Sequence, residues 1–170
     1  MHQTNSTDKL IKEIELAFPY MEMPVKADLS FHKTDCPQCE YLRNDVNEYR
    51  GKEVNSDLIR YLHQELGCLS TVGIKWILPF YLKFCLTPEA AYNMMETEFI
   101  IYHLGPTDEY QDETILKLSG LNQTQISCLI HFLEWCENNP QWIEYCPDEI
   151  KRALNFMRTL MHNPSFKRDA

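Results

Sequence analysis

Glycine and long apolar runs are both scarce in this sequence. Only five of the 170 residues are glycine, which disfavours an all-β fold because such folds need many glycine-containing turns. A transmembrane helix needs about 20 consecutive apolar residues, whereas the most apolar stretch, residues 69–86, is interrupted by Lys75, Pro79 and Lys83. The N-terminal residues also lack a secretory pattern. We therefore expect a cytoplasmic protein with no membrane association.

Catalytic motifs are missing as well. The sequence contains no GxSxG nucleophile motif, no phosphate-binding glycine loop and no HExxH metal motif. His63, His103, His131 and His162 each stand alone on a predicted helix, and an isolated histidine more often serves packing or the surface than catalysis. The sequence thus predicts no catalytic residue, and we expect that the protein is not an enzyme.

The most apolar stretch predicts the centre of the fold. Within residues 76–86 every position is apolar except Lys83, and a helix that is apolar on all sides must be buried on all sides. Residues 69–86 therefore predict a central helix, kinked at Pro79 because proline removes a backbone hydrogen bond. Five large side chains of this helix are expected in the core: Trp76, Ile77, Phe80, Tyr81 and Phe84.

Helical periodicity and capping residues predict further helices around this centre. Asn122 with Gln125 forms a capping-box pattern, and Thr87 followed by Pro88 is a helix start. The predicted segments are 6–18, a helix capped by Asp35 that ends near Gly51, 56–67, 88–104, 122–137 and a last helix capped by Asp148. We expect an all-α fold: a single-domain orthogonal bundle of six to eight helices over residues 1–170, with flexible ends at about 1–5 and 164–170.

Seven cysteines are scattered along the chain. An odd number without an export signal favours reduced thiols. Cys85, Cys128 and Cys136 lie on apolar helical stretches, where a free cysteine behaves as a small buried hydrophobe.

His32, Cys36 and Cys39 form the one cluster with metal-ligand spacing. Two thiolates at a helix start could bind a metal with the histidine, or act as a redox pair. A structural zinc needs four ligands, however, and no second CxxC or HxxxC follows. A redox pair of the thioredoxin kind needs a preceding strand that the pattern does not show. We expect a structural role with no metal and no cofactor; the alternative is a small metal-dependent enzyme or a zinc-stabilised binding module using these residues.

Negative charge is concentrated in one region. The whole chain has a net charge of −9, but residues 84–150 carry 12 acidic side chains against the single Lys117, a local net charge of −11. Direct nucleic-acid binding is therefore disfavoured, because phosphate contact needs clustered Lys and Arg. Tyr92, Tyr102, Tyr110, Trp135 and Trp142 alternate with these acids, and aromatic anchors within a charged rim are typical of protein interfaces.

This acidic region predicts a basic protein partner, because self-repulsion among like charges is relieved when a positive partner binds. A solvated acidic surface and a site for a cation or a basic small ligand are the alternatives. A loop that follows a buried helix is exposed on a rigid support. We therefore expect the contacts to come from the loop after the 88–104 helix and from that helix itself: Glu96, Glu98, Asp108, Glu109, Tyr110, Asp112 and Glu113.

Four short motifs stand out along the chain: AFPY at 17–20, CPQCE at 36–40, RGK at 50–52 and LPFYL at 78–82. With these motifs the sequence resembles, from about residue 10 to 136, an uncharacterised family of small bacterial cytosolic proteins. As a small, acidic, helical chain, the protein also resembles in type the immunity proteins that bacteria encode beside antibacterial toxins. That resemblance implies a stoichiometric inhibitor of a cytosol-acting toxin, most plausibly a nuclease whose basic substrate groove an acidic surface can occupy.

Overall fold

The computed structural model describes residues 2–163, with side chains from Ser6 onward. The all-α prediction is confirmed, but with ten α-helices in this part of the chain rather than six to eight. Within the same residues, the β-structure consists of an isolated antiparallel bridge between Ser30 and Leu69. The helices are α1 His2–Ala17, α2 Pro37–Asn47, α3 Ser56–Leu62, α4 Thr71–Cys85, α5 Pro88–Asn93, α6 Met95–Leu104, α7 Gln111–Leu118, α8 Gln123–Glu137, α9 Pro140–Tyr145 and α10 Pro147–Met161.

Only one of the two ends predicted to be flexible lies in the described part of the chain. Residues 164–170 lie outside the described part of the chain, as does Met1. Helix α1 already begins at His2, so the other predicted end is helical from that residue onward.

Helix α4 is the predicted central helix, and it contacts α1, α3, α5, α6 and α7. Ser70 caps its start by accepting a hydrogen bond from the Gly73 N–H at 3.0 Å, and the helix continues through Pro79 to Cys85. Of the five side chains expected in the core, four are buried: Trp76, Ile77, Tyr81 and Phe84. Phe80 is only half-buried, with the Lys83 ammonium 5.9 Å from its ring centroid.

A second packing centre was not evident from the sequence. Helices α8 and α10 form the most extensive helix pair, while α8 also packs against α1 and α10 against α6. The buried side chains of these helices and of α4 belong to one hydrophobic cluster that extends from Leu10 to Leu160. The core is therefore shared between α4 and the α8–α10 pair.

The predicted helix at 88–104 is divided in two. Thr87 starts α5 as expected, accepting from the Ala90 N–H at 3.3 Å, but Met94 adopts a left-handed conformation with φ of 64° and ends it. Helix α6 then begins at Met95. Left-handed backbone is unfavourable for a residue with a Cβ, and methionine is a good helix former, so no local signal marks this break.

Two predicted helix caps are displaced by a residue or two. Cys36, not Asp35, is the N-cap of α2, and Asp35 has a positive φ of 58°. Cys146 takes the N-cap position of α10, so Asp148 lies in the first helical turn instead. The acid still helps there, since a carboxylate in the first turn interacts favourably with the helix dipole.

Other local predictions differ in accuracy. The capping box at the start of α8 is confirmed: the Gln125 N–H donates to Asn122 Oδ1 at 2.9 Å, and the Asn122 N–H donates to Gln125 Oε1 at 3.1 Å. Helix α3 ends at Leu62, short of the predicted Gly67, and a 3₁₀ turn follows at Leu66–Cys68. Cys85, Cys128 and Cys136 are buried free thiols, as expected.

None of the described helices is both long and apolar enough to cross a membrane.

A close approach between α10 and the end of α6 requires glycine at position 105. A Cβ on Gly105 would lie 2.7 Å from the Ala153 backbone nitrogen and 2.8 Å from its Cα. We expect Gly105→Ala to lower the free energy of unfolding by about 1–3 kcal/mol, the usual cost of overpacking. Urea denaturation measures this change. Gly67→Ala is the matched control, because its Cβ would meet nothing closer than His103 Cε1 at 3.4 Å; equal losses in both variants would contradict the steric explanation.

Candidate functional site

The predicted contact loop is helical rather than irregular. Asp108, Glu109 and Tyr110 form a 3₁₀ turn, and Asp112 and Glu113 belong to the first turn of α7. All five residues are exposed, as the prediction required. Their backbone is held in regular turns, so the carboxylates project from a defined support rather than from a mobile loop.

Glu96 does not belong to this surface, which corrects its place in the predicted contact set. Its side chain is only 3% exposed, in the first turn of α6. Arg60 from α3 approaches it, with Nε 3.6 Å from Glu96 Oε1, and also pairs with Glu89. A buried carboxylate needs such a partner because an uncompensated charge in the interior is costly. Glu96 is therefore part of the protein interior and is inaccessible to a partner.

Glu98 is accessible and has neighbours that the sequence did not reveal. The Tyr145 hydroxyl of α9 donates to Glu98 Oε2 at 3.3 Å. The charge of Glu98, followed by burial, raises the pKa of Tyr145. Burial, followed by the charges of Glu149 and Glu98, raises the pKa of Tyr102. Two tyrosines and two acids from α6, α9 and α10 are thus in one place, and the tyrosines are 42% and 52% exposed.

A shallow groove joins this group to the 3₁₀ turn. Tyr102 and Tyr110 line the same groove of about 450 Å³, together with Glu113. Tyr110 is 57% exposed, and a hydrogen bond with Glu109 raises its pKa. We call this surface the acidic face and define it by its acids and tyrosines: Glu98, Asp108, Glu109, Asp112, Glu113, Glu149, Tyr102, Tyr110 and Tyr145.

Two basic side chains also line the groove, but both are engaged. Lys117 is buried, and its ammonium donates to the Gly67 carbonyl and pairs with Glu113. Arg152 donates to the Gly105 carbonyl at 2.7 Å. Nearby, burial and then the Lys117 charge lower the pKa of His103 to about 4, so this histidine is neutral at pH 7.

The charge excess read from the sequence is partly compensated in three dimensions. Four of the twelve acids between residues 84 and 150 have ion-pair partners among the described residues: Glu89 and Glu96 with Arg60, Glu113 with Lys117, and Glu134 with Arg158. Arg60 and Arg158 come from outside that segment. The acids of the acidic face other than Glu113 have no ion pair within the described part, so their charges are not compensated by such a pair.

The aromatic residues of the acidic segment divide between core and surface. Trp142 is 1% exposed and belongs to the core, which removes it as an interface anchor. Trp135 is half-buried, and its Nε1–H donates to Thr7 Oγ1 at 3.1 Å. Tyr92 is 90% exposed but lies on α5. Tyr102 and Tyr110 are the predicted aromatic residues that the acidic face contains.

A second cluster brings together the residues that the sequence singled out for metal chemistry. The ligand atoms of His32, Cys36 and Cys39 all lie within 4.8 Å of one another. His32 Nδ1 is 3.6 Å from Cys39 Sγ, and the Cys39 N–H donates to Cys36 Sγ at 3.5 Å. We call these three residues the thiol cluster.

The two thiols of this cluster have different environments. Hydrogen bonds from Cys39, and then a backbone hydrogen bond from Gln38 and the charge of Arg43, lower the pKa of Cys36 at the start of α2. Burial raises the pKa of Cys39. Burial also raises the pKa of the nearby Cys68 thiol to about 12, with the adjacent Cys39 thiol contributing. Cys36 is therefore the more readily ionised thiol.

A groove of about 810 Å³ lies elsewhere on the described surface. Three of the four resemblance motifs line it, through Tyr20, the Arg50–Gly51–Lys52 turn and Phe80. Arg50 uses its guanidinium to tie the preceding loop, donating to the Met23 carbonyl at 3.2 Å. Two basic and two acidic residues border the groove, so it has no excess charge to select a ligand.

No protein family, curated protein or solved structure matches this chain.

Proposed function

We propose that the protein is an inhibitory binding protein, an immunity protein in the bacterial sense, that neutralises a basic, cytosol-acting toxin domain. The proposed partner is a nuclease, and the inhibitor acts stoichiometrically in the cytoplasm rather than as an enzyme. The observation that carries this proposal is the acidic face, which combines acids without ion pairs with three exposed tyrosines. Two of these tyrosines, Tyr102 and Tyr110, line one groove.

The negative charge of the acidic face supports the proposal, because it would compete with a nucleic-acid substrate for the toxin's groove. The groove of a nuclease is basic because it must bind phosphates. A surface rich in carboxylates presents charge of the same sign as a nucleic-acid backbone, so it competes for that groove. Opposite charges also accelerate association, which matters for an inhibitor that must act before damage accumulates.

The tyrosines of the acidic face supply binding energy that charged contacts alone do not. Binding energy at interfaces is concentrated in a few aromatic and arginine side chains surrounded by a polar rim. Tyr102, Tyr110 and Tyr145 are each between 42% and 57% exposed, and acids surround them. They are the expected anchors, while the carboxylates set orientation and association rate.

Reversing the free charges of the acidic face tests the proposal. We expect Asp108→Lys/Glu109→Lys/Asp112→Lys to abolish copurification with the toxin-like protein encoded by the neighbouring reading frame and to remove protection from it. A buried interfacial charge costs about 2–5 kcal/mol of binding when truncated, whereas a rim charge mainly changes the association rate and its salt dependence. Glu113 is left intact because it pairs with the buried Lys117. Replacing it would affect the stability of the fold as well as binding.

The matched control changes the net charge equally at other exposed acids. Glu48→Lys/Glu53→Lys/Asp57→Lys uses exposed residues outside the acidic face and should retain binding and protection. Undiminished binding by the first variant would show that the acidic face is only a solvated surface. A neighbouring frame that encodes no toxic protein would contradict the inhibitory function itself.

A further inference from the structure

The thiol cluster has the dimensions of a metal site. In tetrahedral zinc coordination, Zn–S and Zn–N distances of about 2.3 and 2.0–2.1 Å place a sulfur and a nitrogen ligand about 3.6 Å apart. His32 Nδ1 and Cys39 Sγ are separated by that same distance, 3.6 Å. Cys36 Sγ lies within 4.8 Å of both. Its side chain is half-exposed at the start of α2.

A fourth donor is close, although the sequence gave no sign of it. The bridge between Ser30 and Leu69 aligns the segment before His32 with the segment that contains Cys68. The Phe31 N–H donates to the Cys68 carbonyl at 2.8 Å, and that carbonyl is 3.9 Å from Cys39 Sγ. Cys68 Sγ is not among the ligand atoms that lie within 4.8 Å of one another, so its side chain would have to turn toward them to bind the same metal. The backbone pairing therefore places a third cysteine beside the cluster.

We propose that His32, Cys36, Cys39 and Cys68 bind one Zn²⁺ in a closed, structural Cys₃His site. Three thiolates and one imidazole satisfy tetrahedral zinc completely, so the site stabilises the fold and leaves no open position for catalysis. This inference reverses the expectation from the sequence, which counted only three ligands. It is independent of the acidic face, and the inhibitory function stands or fails without it.

The protein surroundings suit the charge of such a site. Binding converts three thiols to thiolates and releases their protons to solvent, so the zinc centre carries a net charge of −1. The Arg43 guanidinium lies beside it, donating to the His32 carbonyl at 2.8 Å and to Ser30 Oγ at 2.6 Å. The Cys39 N–H already donates to Cys36 Sγ, a hydrogen bond that favours the charged form of the ligand.

The metal also has a structural task. The described residues contain one β-bridge, and through it the loop at Leu29–Phe31 is attached to the turn at Leu66–Cys68. Zinc would link these two segments to the start of α2, three parts of the chain that have little other regular structure to hold them together. A closed metal site at this junction would add cross-links between segments that share a single β-bridge in the described residues.

Elemental analysis of the full chain purified under reducing conditions, with no added chelator, is the first test. We expect one zinc per chain. Substitution with Co²⁺ should give the intense d–d bands of tetrahedral coordination and a thiolate-to-cobalt charge-transfer band. The charge-transfer intensity depends on the number of thiolates, so it should fall by about one third in Cys68→Ser, which loses one of three sulfur ligands.

Two ligand variants and a control separate coordination from general damage to the fold. Cys68→Ser should weaken zinc binding by more than about 100-fold, beyond the loss caused by removing an outer-shell partner. His32→Ala should weaken it likewise. Because His32 is exposed, its removal leaves the buried core intact and loses an edge contact with the Phe31 ring. Cys128→Ala changes a buried core cysteine and should keep full metal content.

Each contrary outcome overturns the proposal. Metal-free protein that also fails to bind added Zn²⁺ when reduced excludes the site. A Cys36–Cys39 disulfide without metal identifies a redox pair instead. Zinc binding that Cys68→Ser leaves unchanged shows a three-ligand site with an open position, and that result refutes the closed structural centre.

Discussion

Replacing Trp76 by alanine is expected to lower the free energy of unfolding by about 3–5 kcal/mol, the usual range for truncating a buried large aromatic side chain. Trp76 is 3% exposed on α4 and belongs to the main hydrophobic cluster. The loss combines the transfer free energy of the indole with the cavity that remains when surrounding helices cannot collapse onto it. Chemical denaturation monitored by far-UV circular dichroism measures the change.

Tyr92→Ala provides the control for that experiment. Tyr92 is 90% exposed on α5, so its truncation should change stability by less than about 0.5 kcal/mol, as for ordinary surface substitutions. A loss within 1 kcal/mol for Trp76→Ala would mean that α4 is not the centre of the core.

Local sequence signals predicted most of the helices because those signals act within a few residues. The capping box of Asn122 and Gln125 and the Thr87 cap are both present. The apolar character of residues 76–86 correctly predicted the burial of α4. These features depend on hydrogen bonds and periodicity along one segment, which a sequence displays directly.

The break at Met94 and the second packing centre were not predictable in this way. A left-handed methionine has no local cause, so the break between α5 and α6 is imposed by tertiary packing. The pairing of α8 with α10 likewise depends on which apolar faces meet, and periodicity does not specify the partner of a face.

The candidate sites show the same division. Sequence reasoning identified the acidic segment and the thiol cluster, because both depend on residue type and short spacing. It could not show that Arg60 reaches Glu96 from 36 positions away, that Tyr145 reaches Glu98, or that a β-bridge brings Cys68 to Cys39. These contacts decide which acids lack an ion pair and which cysteines lie near the thiol cluster.

The Arg60–Glu96 pair leads to the other large expected effect. Arg60→Met should lower the free energy of unfolding by about 2–4 kcal/mol, because it leaves a buried carboxylate without its counter-charge. The estimate lies below the value of about 3–5 kcal/mol for a fully buried pair, since the Arg60 side chain is 39% exposed and water can partly replace it.

Replacing Glu96 instead of Arg60 should lower the free energy of unfolding much less. Glu96→Leu removes the buried charge together with Glu96 Oε2, which has no hydrogen-bond partner among the described residues. Arg60 keeps Glu89 and solvent as partners. Replacing a buried ionic group by a well-packed apolar one is often neutral or stabilising. We therefore expect Glu96→Leu to change stability by less than about 1 kcal/mol.

A double-mutant cycle measures the coupling between the two residues. Arg60→Met/Glu96→Leu should be more stable than Arg60→Met alone, with an interaction free energy of about 1–3 kcal/mol, the range for residues in direct contact. Urea denaturation of the four proteins supplies the values. Additive losses would show that the pair is not coupled, and if Glu96→Leu abolished partner binding while leaving stability intact, Glu96 would return to the contact set from which its burial removes it.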